Sequence, residues 1–180
     1  LTRTLKLYIE KLDNIVREFR QSNPDMGLPE HLFHFVSRST PIVNIDLLIQ
    51  DSNNRSLLAW RDDAFSGSGW HIPGGIVRYK ETMLERVEHV ANLEIGCKVK
   101  YDIKPIAFNE VILSHNTRGH FISFLYLATV DEGFEPDNIG QTKKDAGYLQ
   151  WHDTCPSNLV KVHNIYRPYI EGTYHENKKL

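Results

Sequence analysis

Gly74-Gly75-Ile76-Val77-Arg78-Tyr79-Lys80-Glu81, then Thr82 to Glu88, then His89-Val90-Ala91-Asn92-Leu93-Glu94-Ile95-Gly96-Cys97 form the most informative stretch of this 180-residue chain. It reads as a glycine turn, a charged loop, a helix and a glycine stop. Met83, Leu84, Val87, Val90 and Ala91 give the segment 81–94 one apolar face, and Gly96 is a natural C-terminal cap. Carbonyls of the glycine turn can point at a cation. Glu94 follows Val90 by four residues and Val87 by seven, so helical spacing places it on their face. A carboxylate there is either a metal ligand or a salt-bridged boundary residue.

Working outward, Trp70-His71-Ile72 is a short strand entering Pro73-Gly74-Gly75, preceded by a flexible loop, Phe65–Gly69. Ile42–Ile49 and Ser56–Trp60 flank the turn-forming Asp51-Ser52-Asn53-Asn54 and predict a hairpin. Further strands are expected at 98–113, 119–130 and 148–151, with a polar loop at 131–144 and a helix at 155–171. Phe121–Leu127 is too apolar for a one-sided edge strand. Strands mixed with separated helices imply layers of α and β structure. Residues 4–21 form an amphipathic helix, with Leu5, Tyr8, Ile9, Leu12, Ile15, Val16 and Phe19 at three- and four-residue spacing. It should end before Pro24, the stretch Pro24–Pro29 being a linker. The expected organisation is therefore a helix and linker over 1–29 and one domain over 30–180. The helix is expected to bury its stripe, packed within the chain or serving as the arm of a homodimer.

Composition narrows the function. The chain has 21 Lys and Arg against 23 Asp and Glu, a net charge of −2, which argues against a general nucleic-acid binder. No apolar run reaches the length of a membrane span, and charges interrupt the N-terminal apolar positions where a secretory signal would need none. Cys97 and Cys155 form neither a disulfide framework nor a metal-type spacing, and a cytoplasmic setting is expected.

The central stretch resembles a Nudix box: glycine, five residues, glutamate, seven residues, then Arg-Glu-apolar-x-Glu-Glu-x-Gly-apolar. Gly75, Glu81, Ala91, Glu94, Gly96 and Cys97 are in register. His89 stands for the arginine, Val90 for the first glutamate and Leu93-Glu94 for the pair. The resemblance implies a Nudix α/β/α sandwich, a mixed sheet with flanking helices, plus the N-terminal amphipathic helix. The departures resemble the GDP-mannose mannosyl hydrolase branch, as do Val36–Pro41, Asp46, Leu57-Leu58 followed by Arg61, Gly69–Gly75 and Val162-His163-Asn164.

Through that resemblance the Gly74 carbonyl, Glu94 and Asp145 match metal ligands, with Mg²⁺ as the ion and Mn²⁺ as an alternative. Arg61 matches an arginine on the leaving diphosphate, and Asp46 a residue near the substrate or a strand-edge aspartate in a salt bridge. The branch's general-base histidine is Ala146 here, and its arginine after the second glycine is Ile76. His115 and His120, in or beside a loop resembling the branch's substrate loop, are the candidates for the base; otherwise they are surface residues. Trp70, Trp151, Tyr126 and Phe124 could stack on a base or fill the core. The implied activity is Mg²⁺-dependent hydrolysis of a nucleoside diphosphate-sugar resembling GDP-mannose, by water attack at the anomeric carbon. The alternatives are attack at phosphorus of another nucleotide, and a nucleotide-binding module without catalysis.

Overall fold

The computed structural model describes residues 2–21, 28–114 and 117–174. Its centre is a mixed sheet. Strand β1 (Ile42–Gln50) lies parallel to β7 (His120–Thr129) and antiparallel to β2 (Ser56–Asp63) and β4 (Gly74–Ile76). Strand β3 (Gly67–His71) and β8 (Leu149–His152) pair with β2, while β5 (Lys100–Tyr101) and β6 (Ala107–Ile112) pair with β7. The apolar run at 121–127 thus lies inside the sheet, as its composition predicts. The loop expected at 65–69 is shorter, because Gly67–Gly69 already pair with Arg61–Asp63.

Two apolar layers cover the sheet. On one face Ile45, Leu47, Ile49 and Leu57 pack with Val87, Val90 and Ile95 of helix α3 (Met83–Val90) and the turn after it. On the other, Leu48, Leu58, Trp70 and Ile72 pack with Tyr166 and Ile170, from a 3₁₀ turn (Lys161–Tyr166) and the short helix that follows it, Arg167–Ile170. Only the second half of the helix expected at 155–171 is helical. Trp70 and Tyr126 are buried core residues, and Phe124 and Trp151 pack against the core. Cys97, half-buried, packs there too.

Two further differences from the sequence expectation concern helices. A helix precedes β1: α2 (Glu30–Ser39), begun by Pro29 with Glu30 in its first turn. Helix α1 (Arg3–Gln21) forms as expected, but its stripe is not buried. Leu5, Tyr8, Ile9, Leu12, Ile15 and Val16 are all exposed, from 41% to 64%. Amphipathic spacing shows that a face needs cover and leaves open what covers it; within this chain, nothing described does. The side chain of Phe19 and the linker's first residues, 22–27, lie outside the described residues.

Helix α3 starts on a capping box: Glu85 N–H donates to Thr82 Oγ1 at 3.2 Å, and Thr82 N–H donates to Glu85 Oε2 at 2.7 Å. The loop before it is held by Glu81. Its Oε2 accepts Arg86 Nη2 at 2.6 Å, Arg86 Nε at 2.8 Å and the Arg78 N–H at 2.8 Å; Oε1 lies 2.6 Å from His89 Nδ1. His89 therefore reaches the same glutamate from the position where the box has arginine. Burial alone would raise the Glu81 carboxyl, but the Arg78 N–H, His89 and Arg86 outweigh it and hold its pKa below the ordinary value.

Arg86 is 5% exposed, and removing it leaves a largely buried carboxylate short of its main counter-charge. Arg86→Ala should cost about 3–5 kcal/mol in urea unfolding. Because the folded pKa of Glu81 is depressed, its contribution is present above the unfolded value and is lost as pH falls through the folded one. The stability gap between wild type and Glu81→Gln should accordingly close between neutral pH and strongly acidic pH.

Candidate active site

Asp46 faces Gly74 across the β1–β4 pair, and a side chain on Gly74 would run into Asp46 Oδ1 and the Ile45 carbonyl. Only glycine lets these backbones approach so closely. The Asp46 carboxylate is buried and bonded. Ser123 Oγ donates to Oδ2, Tyr166 OH donates to Oδ2 at 2.5 Å, and Tyr166 OH lies 2.9 Å from Ser123 Oγ. Burial raises its pKa, countered in part by the Ser123 and Tyr166 bonds. The Tyr166 hydroxyl is raised by burial and by Asp46. Asp46 thus forms the floor of the site, in place of a strand-edge salt bridge.

Above this floor opens a cleft of about 1910 Å³, into which Gly74, Gly75, Asp46, Arg61 and His163 all face. Arg78, Lys80, Arg118 and Lys161 also line it, beside Glu110 and apolar side chains such as Phe35, Val36 and Ile165. A second cavity of about 650 Å³ holds Glu94, His71, Ala146 and Gly147, and Arg61 borders both. Arg61, at the end of β2, is steered by Asp63 at 3.4 Å.

Glu94 does not sit on the helix assumed from its spacing. After Val90 the chain widens into a π turn, Ala91–Ile95, closed by the Gly96 N–H donating to the Ala91 carbonyl five residues back at 3.0 Å. Such turns often occur at functional sites. Gly96 ends it at φ +78°, where glycine is favoured. Val90 is buried at 3%, Leu93 projects at 78% exposure, and the Glu94 side chain lies between at 32%, Oε2 being 3.8 Å from His71 Nε2.

The remaining sequence candidates lie apart from this group. Asp145 is exposed, and its Oδ2 accepts the Thr142 N–H at 2.6 Å, so the carboxylate closes its own turn; that bond lowers its pKa. Asp145 does not line the Glu94 cavity, whereas Asp137, Gln141, Ala146 and Gly147 of the same loop do. His120 begins β7 and pairs with Glu110 at 3.2 Å. His115 lies outside the described residues. Among the described residues no three His, Cys, Asp or Glu side chains cluster as a metal cage. Glu94 lines the smaller cavity and Gly74 the larger cleft; a lone carboxylate still suits Mg²⁺, an ion that keeps several waters and relies on substrate phosphates for further ligands.

Three groups to which the sequence assigns no role in the site line the two cavities. His71 is buried, its Nδ1 without a hydrogen-bond partner, and its ring meets His163 at 5.9 Å. His163 Nδ1 accepts the Ile72 N–H at 3.1 Å. Burial, then His71 and Arg61, push its pKa well below the ordinary value. It is therefore neutral at pH 7, with its lone pair already engaged. Arg118 lies over Phe33 and Phe65. Each of these groups depends on contacts between distant segments, which local patterning does not reveal.

No family model matches the chain. The low-salt glycan biosynthesis protein Agl8 of Haloferax volcanii is 24% identical over 113 residues, which cover 61% of this chain and 72% of Agl8. A MutT Nudix hydrolase from Burkholderia pseudomallei is similar in structure, with a TM-score of 0.56 and 25% identity over 70% of this chain and 95% of that one. A UDP-X diphosphatase has a TM-score of 0.52 at 17% identity, covering 94% of this chain and 82% of its own. The chain has the Nudix fold, the α/β/α sandwich that the central stretch implies; of these solved structures the first is named a Nudix hydrolase and the second a diphosphatase.

Proposed function

We propose that this protein hydrolyses a nucleoside diphosphate-sugar, GDP-mannose-like, with Mg²⁺, and that water attacks the anomeric carbon. The observation that carries this reading is the single carboxylate, Glu94, left at the helical metal positions, beside the larger cleft. Val90 is locked in the core and Leu93 is an alkyl group in solvent, so neither place can add charge. Attack at phosphorus leans on concentrated metal charge to activate water. Displacement at the anomeric carbon, through an oxocarbenium-like transition state, chiefly needs a neutralised leaving diphosphate. In this proposal Arg61, which lines the cleft, supplies that neutralisation. The metal, held by Glu94, the Gly74 carbonyl and, in this proposal, Asp145, would share the same charge. The bond from C1 to the diphosphate oxygen breaks, and its electron pair leaves with the nucleoside diphosphate. His120 and His115 remain the proposed acceptors of the water proton. The role in glycan biosynthesis named for the Haloferax relative supports a sugar-bearing substrate.

Attack at phosphorus is the second reading, favoured by one observation: Ala146 puts a methyl group where the branch has its histidine base. Hydrolysis in ¹⁸O-water separates the two. Label in the sugar hydroxyl is expected; label in phosphate, or nucleoside monophosphate as product, overturns the proposal. No turnover of any nucleotide-sugar would leave only a binding module. Glu94→Gln should weaken the Mg²⁺ dependence of turnover at least tenfold, by order of magnitude, with little change in melting temperature; an unchanged Mg²⁺ titration removes Glu94 from the metal.

We further propose that the chain works as a homodimer in a cytoplasmic setting, with residues 1–29 as an arm outside the 30–180 domain. Both cysteines are unpaired, and no helix among the described residues is long and apolar enough to cross a membrane. An isolated helix of this length is marginal in water, so a second copy is the proposed cover for the α1 stripe. Deleting residues 1–22 should halve the mass measured by light scattering. An unchanged mass on deletion, or a monomeric full-length chain, refutes the arm.

A further inference from the structure

Arg118 sits in the β6–β7 loop with its guanidinium between two phenyl rings. Its Cζ is 5.4 Å from the centroid of Phe33, on α2, and 4.9 Å from that of Phe65, in the β2–β3 turn. Three segments far apart in sequence therefore meet around one side chain. Stacking on aromatic faces suits a guanidinium and fixes its plane. The Nε of Arg118 is nevertheless buried with no hydrogen-bond partner.

The surrounding charge is unbalanced. Arg61 lines the same cleft, near enough that its charge, after burial, lowers the Arg118 pKa, with Asp63 the carboxylate acting against it. Asp63 is largely engaged already. Its Oδ1 accepts the Phe65 and Ser66 N–H groups at 2.8 and 2.7 Å, and its Oδ2 faces Arg61 at 3.4 Å. Two guanidiniums thus share one carboxylate at a partly desolvated spot. That arrangement is costly until an anion enters. Both side chains face the cleft above Gly74 and Gly75. Planar guanidiniums pair with phosphate oxygens through parallel N–H bonds.

We propose that Arg118 and Arg61 form a two-guanidinium clamp for a diphosphate, with Phe33 and Phe65 holding Arg118 in position. This deepens the proposed function and rests on its substrate class, since the anion would be the diphosphate of the nucleotide-sugar. Arg118 is a binding residue in this scheme and takes no proton.

Calorimetric titration of the full chain with inorganic pyrophosphate, without added metal, tests the clamp independently of turnover. Arg118→Met keeps the length and apolar bulk and removes the charge. It should weaken pyrophosphate binding about tenfold to a hundredfold and reduce the salt dependence of binding, with little change in melting temperature. Arg118→Lys keeps the charge without the planar fork and should fall between. Unchanged pyrophosphate affinity in both variants overturns the clamp, as does a wild type that binds no pyrophosphate. If Arg118→Met fails to fold, Arg118→Lys decides: a loss of about threefold or more supports the clamp, and no loss refutes it. Nucleotide-sugar turnover, measured in parallel, separates the two proposals. Pyrophosphate binding that depends on Arg118 without turnover keeps the clamp and removes the hydrolysis. Turnover and pyrophosphate binding that both ignore Arg118 do the reverse.

Discussion

A carboxylate buried between two strands has to be hydrogen-bonded or neutral, and Asp46 is where this protein meets that demand. Ser123 reaches it from β7 and Tyr166 from the 3₁₀ turn near the C-terminus, so one side chain joins the middle of the sheet to its outer layer. Leaving such a group unsatisfied costs about 1–3 kcal/mol, and more when it is charged. The arrangement also fixes the glycine turn, because Asp46 fills the space where any side chain at Gly74 would stand. The backbone that begins the cleft is thus positioned by a polar cluster beneath it, while Glu81 and Arg86 hold the loop that follows.

How far the sequence reports this structure varies with the range of the contacts. The hairpin of β1 and β2 and the interior strand β7 were legible because period and apolar content act within a few residues. The capped helix α3 was legible for the same reason. Helix α2 had a local signal, Pro29 followed by Glu30, but Ser37 and Ser39 blur its apolar pattern. The Nudix resemblance singles out Gly74, Glu94, Arg61 and Asp46, and each of them lines one or both of two adjoining cavities.

What stayed illegible is non-local. A lone arginine in a loop has no periodicity, and Arg118 gains its setting only when Phe33 and Phe65 arrive from elsewhere. His71 and His163 stand 92 positions apart in sequence yet touch edge to face. Asp145 shows a local contact that the sequence did not announce: the resemblance proposes it as a ligand, and its carboxylate also accepts the Thr142 N–H within the turn 142–145. Short-range hydrogen bonding competes with any longer reach.

The π turn at Ala91–Ile95 makes the cavity that holds Glu94 sensitive to chain length as well as to residue identity. A single-residue deletion between Ala91 and Leu93 would let the ordinary helical ladder close, and each residue in that ladder turns the chain by about 100°. The carboxylate of Glu94 would then swing away from His71 while every other named group stayed in place. Two chains with the same glycines, glutamate and arginine could therefore differ in chemistry through one inserted position. Comparison of homologues by gap placement across this turn would sort them where comparison by residue type cannot.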